Sequence, residues 1–171
     1  MHKIQMAVLA AGLVSPLAAC QSTPQGGKAA AMLEPRSGST VAGEVTFTPA
    51  GEGMIVRARL SGLKPNAEHG FHVHDKGDCS APDATSAGGH FNPGGAAHGH
   101  YGTGSHHAGD MPNIKADGEG KAIYEARVAM LGLSGANGVL GRSVVVHRDP
   151  DDYKSQPAGN SGPRIACGVI R

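Results

Sequence analysis

Eight of the ten histidines in this 171-residue chain lie between positions 68 and 110. The stretch reads EHGFHVHDKGDCSAPDATSAGGHFNPGGAAHGHYGTGSHHAGD. It holds His69, His72, His74, His90, His98, His100, His106 and His107, and a further histidine, His147, ends the apolar run SVVVH downstream. Histidine at neutral pH is the commonest metal ligand. A glycine-rich, charge-poor segment this dense in imidazole predicts a long loop ordered around metal ions. The rest of the chain must then supply a scaffold that needs little helix. Glycine at 27 residues and charged residues at 17% fit short strands joined by long loops. A helical bundle would want Leu, Glu and Lys repeating every 3.6 residues. The length suits one domain with a real core. The formal net charge of +1 gives no footprint for a polyanion, so nucleic-acid binding is not expected.

Eight segments read as strands: residues 29–33, 40–48, 54–60, 70–74, 113–116, 121–130, 143–147 and 165–170. TVAGEVTFT and MIVRARL alternate as half-buried strands do, whereas SVVVH is apolar throughout, as in a packed interior. KAIYEARVAM fits strand or helix by pattern, and its flanking turn residues favour strand. The expected architecture is an antiparallel sandwich or barrel. Two connections, 75–108 and 148–163, are too long for plain turns, and both carry candidate site residues. Loops of that length in compact domains are functional or disordered; here they are expected to be ordered and functional.

His72 and His74 are two apart on a strand, so both imidazoles share a face, with Cα atoms about 6–7 Å apart at a rise of about 3.3 Å per residue. With His90 and His147 they make four nitrogen donors without a thiolate, a set suited to Cu(II). His98, His107 and Asp110 give two nitrogens and an oxygen, and His90 can add the fourth donor of a tetrahedral Zn(II) shell through its second ring nitrogen. On spacing alone His100 or His106 could replace His98 or His107. The H-x-G-D pattern selects His107. His69 is expected to be structural or solvated.

At the N-terminus, residues 1–19 read as an export signal, with a short polar start and an apolar run shorter than the roughly 20 residues of a spanning helix. The segment ends Leu17-Ala18-Ala19-Cys20, which resembles a bacterial lipobox and implies acylation of Cys20. Gln21 follows, where an aspartate would suggest retention in the inner membrane. The expected location is the periplasm or cell envelope, with the chain lipid-anchored to the outer membrane. Residues 20–28 then form a flexible tether, and residues 29–171 form the domain. Loss of the signal removes Lys3 and leaves a formally neutral chain.

The pieces GFHVH (70–74), HFNP (90–93), His98, HAGD (107–110), VVH (145–147) and GPRIACGVI (162–170) occur in an order that resembles the copper/zinc superoxide dismutase family over the whole domain. The resemblance implies an all-β, eight-stranded antiparallel Greek-key barrel or sandwich with two long functional loops. It implies copper on His72, His74, His90 and His147, and zinc on His90, His98, His107 and Asp110, with His90 shared and one ion of each kind per chain. It implies dismutation of superoxide, with His90 carrying a proton and Arg164 attracting the anion. Pro163 stands where the family has a small residue. Asp151, four after His147, matches a residue that hydrogen-bonds one copper and one zinc histidine, and Asp152 is its competitor. If Cys20 is acylated, Cys79 pairs with Cys167. The alternative function is a periplasmic copper- or zinc-binding protein without turnover. Either a monomer or a homodimer is compatible with the sequence.

Overall fold

The computed structural model describes residues 27–171. The export signal, Cys20 and the tether up to residue 26 lie outside the described residues. Among the described residues nine strands are formed: β1 (Ala29–Pro35), β2 (Ala42–Pro49), β3 (Met54–Ser61), β4 (Glu68–His69), β5 (Phe71–His74), β6 (Ile114–Lys115), β7 (Ala122–Val128), β8 (Ser143–His147) and β9 (Arg164–Val169). A single 3-10 turn, Thr85–Ala87, is the one helical element among the described residues. All eight expected strands are present. The ninth arises because the chain breaks at Gly70. Its N–H donates to Asp149 O and its carbonyl accepts His147 N–H, so Glu68 and His69 leave the main sheet and pair with β6.

Seven strands form one antiparallel sheet in the order β5-β8-β9-β1-β2-β3-β7. Strand β1 is the corner, since Ala29–Leu33 pair with β2 while Glu34 and Pro35 pair with β9. The sheet thereby folds over into two layers. The core between them follows the period of two along each strand. In β3, Met54, Val56, Ala58 and Leu60 point inward and Arg57 and Arg59 outward. Strand β8 is buried at every position. Val144 and Val146 join the central core, while Val145 packs outward with Cys167, Ala84 and Ala87. Burial on both faces is the physical reason that SVVVH does not alternate.

Cys79 and Cys167 form the expected disulfide, closing 88 residues of sequence. It fastens the loop after β5 onto the outer face of β8 and β9. The remainder of that loop runs back along the free edge of β5, where His72 bridges Asp110 and His74 bridges His90. Val73 N–H donates to Gly109 O, and Phe91 N–H to Val73 O. A Cβ on Gly109 would overlap Val73 O, so the glycine of HAGD is what allows loop and strand to approach this closely. The histidine-rich loop is therefore laid against the sheet edge by backbone pairing.

Candidate metal centre

Strand β5 aims His72 and His74 into the space beneath this loop, and His147 enters from β8. The pairing of β8 with β9 slips at this point: Val146 faces Ala166, but His147 faces Arg164. A bulge of this kind re-aims a side chain, and here it sets a copper-candidate histidine beside the candidate anion-binding arginine. Four residues, His72, His74, His90 and His147, bring one ligand atom each within 4.8 Å of one another, and His90, His98, His107 and Asp110 do the same. Every member of both groups is buried. His90 belongs to both. The two quartets are those expected from the sequence.

The hydrogen bonds identify which nitrogen of each ring is free. His74 Nδ1–H donates to Gly88 O at 3.0 Å, and His147 Nδ1–H donates to Gly162 O at 3.1 Å. A carbonyl only accepts, so in the neutral rings both Nε2 atoms carry lone pairs, and these face each other at 3.3 Å. His72 is turned the other way, with Nε2–H donating to Asp151 Oδ2 at 2.8 Å and Nδ1 buried without a partner. His98 Nε2–H donates to Asp151 Oδ1 at 2.9 Å, leaving its Nδ1 buried at 3.1 Å from Asp110 Oδ2. His90 Nδ1–H donates to Asp110 Oδ1 at 2.8 Å, and its Nε2 is buried and unpartnered. His107 Nδ1 is 3.3 Å from the same Asp110 oxygen. Buried polar atoms are rarely left unmatched. Apart from His69 Nε2 and the Tyr124 hydroxyl, the buried unmatched side-chain atoms among the described residues are the nitrogens of His72, His90, His98 and His107, all in the two quartets, which is the pattern expected where cations bind.

Burial sets the protonation states. Desolvation pushes His72 and His74 well below the ordinary imidazole range, and neighbouring imidazoles add to it. His147 is lowered to about 4, chiefly by burial. Burial also lowers His90, partly offset by Asp110. For Asp110 burial alone would raise the pKa, but the hydrogen bonds from His107 and His90 prevail and hold its carboxyl well below the carboxylate range. His72, His74, His90 and His147 are thus kept as neutral imidazoles and Asp110 as a carboxylate at pH 7, the ligating forms. A folded-state pKa below 6.5 means that the unfolded chain takes up protons first as pH falls. The metal-free protein is therefore expected to lose stability as pH drops from about 6.5 towards about 4, the value for His147. Denaturant midpoints measured across that interval should decline, and a flat profile would contradict buried neutral histidines.

Around the ligands, Asp151 is buried and joins His72 to His98, whereas Asp152 is exposed and caps the backbone of Lys154 and Ser155. Asn113 holds Asp151 in place through both its backbone atoms, at 2.9 and 3.0 Å. Arg164 is half-buried and donates to Ala84 O and Gly88 O, both at 2.6 Å. Gly88 O therefore serves His74 and Arg164 together. His69 is buried and donates from Nδ1 to His147 O at 3.0 Å, a structural role. His100 stacks on Tyr101 with ring centroids 4.5 Å apart, and His106 donates to His107 O. Neither joins a quartet.

The sequence reading missed Asn113, the carbonyls of Gly88 and Gly162, and Gly159. Gly159 has φ 64°, and a Cβ there would overlap Asp151 Oδ1 and lie 2.8 Å from His98 Nε2. Gly159→Ala should lose on the order of 1–3 kcal/mol from backbone strain alone and should release zinc by displacing Asp151 and His98. Thermal unfolding and the zinc-to-protein ratio check this, and wild-type values for both would refute it.

Comparison with known proteins places these features together. The sequence model described as copper/zinc superoxide dismutase matches residues 41–170. Superoxide dismutase [Cu-Zn] 2 of Aquifex aeolicus is 44% identical over 136 residues, spanning 77% of this chain and 80% of that protein. Superoxide dismutase [Cu-Zn] of Deinococcus radiodurans is 41% identical over 176 residues, spanning 96% of this chain and 93% of that one. Among solved structures, the clock protein EA4 superposes with a TM-score of 0.77 at 39% identity, over 85% of this chain and 94% of its own. The match to the family's sequence model extends across both quartets and the disulfide, and with it the chain belongs to the copper/zinc superoxide dismutase family.

Proposed function

We propose that the protein dismutes superoxide, turning two superoxide ions and two protons into oxygen and hydrogen peroxide. The single observation that carries this reading is the pair of buried quartets joined by His90, with Arg164 facing His147 across the β-bulge. We assign copper to His72, His74, His90 and His147, and zinc to His90, His98, His107 and Asp110. Bound copper supplies reversible one-electron redox and bound zinc a fixed charge without redox chemistry. The chain does the rest. Gly88 O, Gly162 O and Asp151 fix the tautomers of His74, His147 and His72, so each presents one free nitrogen inward. Arg164 is held by two carbonyls and neutralised by neither, so its charge is available to draw in an anion. His90 can hold a proton at Nε2, the nitrogen without a protein partner, and give it up to the reduced product.

The metal-loaded protein should remove superoxide in stopped-flow decay at a rate that tracks bound copper. Binding of both metals with no dismutation above free copper would defeat the proposal. Arg164→Ala should keep both metals yet slow the reaction by roughly tenfold at low salt and flatten its salt dependence, since steering by charge is screened within a Debye length of about 10 Å at 0.1 M. An unchanged salt profile would remove Arg164 from that role. We also propose that the chain is exported and acylated at Cys20, and so guards the cell envelope. Cys20→Ser should then move the protein from the membrane to the soluble fraction, and continued membrane association would exclude the anchor.

A further inference from the structure

The loop that holds Arg164 carries an exposed acidic residue, Asp83, to which dismutation assigns no role. Asp83 precedes Ala84, whose carbonyl holds Arg164 Nη1 at 2.6 Å. Ala84 adopts a left-handed backbone, φ 57°, at the head of the Thr85–Ala87 turn. Asp83 Oδ1 accepts Thr85 N–H at 3.0 Å and Thr85 Oγ1–H at 2.7 Å. These bonds fix the carboxylate at the head of the turn, one residue from the carbonyl that grips the guanidinium. They also hold its carboxyl below the ordinary range, and its negative charge opposes the lowering that burial imposes on the Arg164 guanidinium. No salt bridge engages Asp83 among the described residues.

Building on the dismutation reading, we infer that Asp83 is a specificity-determining residue that selects singly charged over doubly charged anions at Arg164. A fixed negative charge repels an approaching anion in proportion to that anion's charge. If it slows capture of a monovalent ion by some factor, it weakens binding of a divalent ion at the same place by about the square of that factor. Superoxide is monovalent, whereas hydrogen phosphate, abundant around any cell, carries two charges. Asp83 thus gives up a little capture rate to keep the guanidinium clear of divalent competitors. Its hydrogen bonds to Thr85 allow the charge to be removed without losing the turn, because asparagine and serine cap the same position.

The test uses the fully metal-loaded protein and its Asp83→Asn and Asp83→Ser variants at low ionic strength. Superoxide decay should quicken about twofold in both variants, azide should bind about twofold tighter, and hydrogen phosphate about fourfold tighter. Azide binding is read from the visible band of bound copper and phosphate binding from its competition with azide, and neither depends on turnover. All three gains should shrink as salt is added. The inference is overturned if azide and phosphate shift by the same factor, or if neither shifts while metal content is unchanged. A protein that shows the predicted anion shifts but does not dismute would overturn the dismutation reading and leave this one standing.

Discussion

Replacing Asp151 with asparagine is expected to weaken at least one of the two metal groups, by about 10- to 100-fold in affinity or activity. The carboxylate is buried, and each of its oxygens accepts from a different imidazole: Oδ2 from His72 and Oδ1 from His98. Oδ1 also accepts Tyr153 N–H at 2.7 Å. Asparagine has nearly the same shape but a single acceptor oxygen. Its amide group must face an N–H that it cannot accept, so one imidazole rotates or exchanges its tautomer. If His72 gives way, Nδ1 is no longer aimed at the copper quartet. If His98 gives way, the zinc quartet loses a nitrogen. Competition with a chelator, followed by copper and zinc analysis, separates the two cases. Retention of both metals at wild-type affinity would show that Asp151 holds neither imidazole in place. Asp152→Asn is the control, since that residue caps an exposed turn and touches no ligand.

Opening the Cys79–Cys167 disulfide should have the largest effect on stability. A cross-link closing 88 residues restricts the unfolded chain by on the order of 4–5 kcal/mol in the chain-entropy model. Cys79→Ser with Cys167→Ser is therefore expected to lower the thermal midpoint markedly. The effect reaches the chemistry through the loop that the disulfide fastens. Ala84 and Ala87 pack with Val145 and Cys167 on the outer face of β8 and β9, and this packing presents Ala84 O and Gly88 O to Arg164. Arg36 adds a hydrogen bond to Cys79 O at 2.8 Å. Once the loop is loosened, Arg164 loses its two carbonyls and His74 loses the acceptor that fixes its tautomer. Activity should fall further than copper content does, and it should fall most at low salt. A double variant with an unchanged midpoint, or with activity that merely follows copper, would contradict this connection.

Much of this organisation was legible in the residues. Strands β2 and β3 alternate because one face meets the core and the other water, and β8 does not because both its faces are covered. The members of the two quartets could be named because HVH, HFNP, HAGD and VVH carry their chemistry in their side chains and occur in the family's order. What could not be read was work done by backbone or by absence. Gly88 and Gly162 act through carbonyls that every residue possesses, so nothing in their identity marks them. Gly159 acts by lacking a Cβ next to Asp151, a closeness that the sequence does not record. The break at Gly70 depends on contacts with residues 147 and 149, far along the chain. Asp151 and Asp152 are adjacent and chemically identical, and only burial separates them.

On the proposed assignment a single imidazole, His90, would join the two metal ions, holding copper through Nε2 and zinc through Nδ1. The most direct measurement is anomalous X-ray diffraction from crystals of the fully loaded protein, collected at the copper and zinc absorption edges. Two peaks are expected, one on each side of the His90 ring. The copper peak should lie among His72, His74 and His147, and the zinc peak among His98, His107 and Asp110. A single peak, or two peaks that do not flank His90, would contradict it.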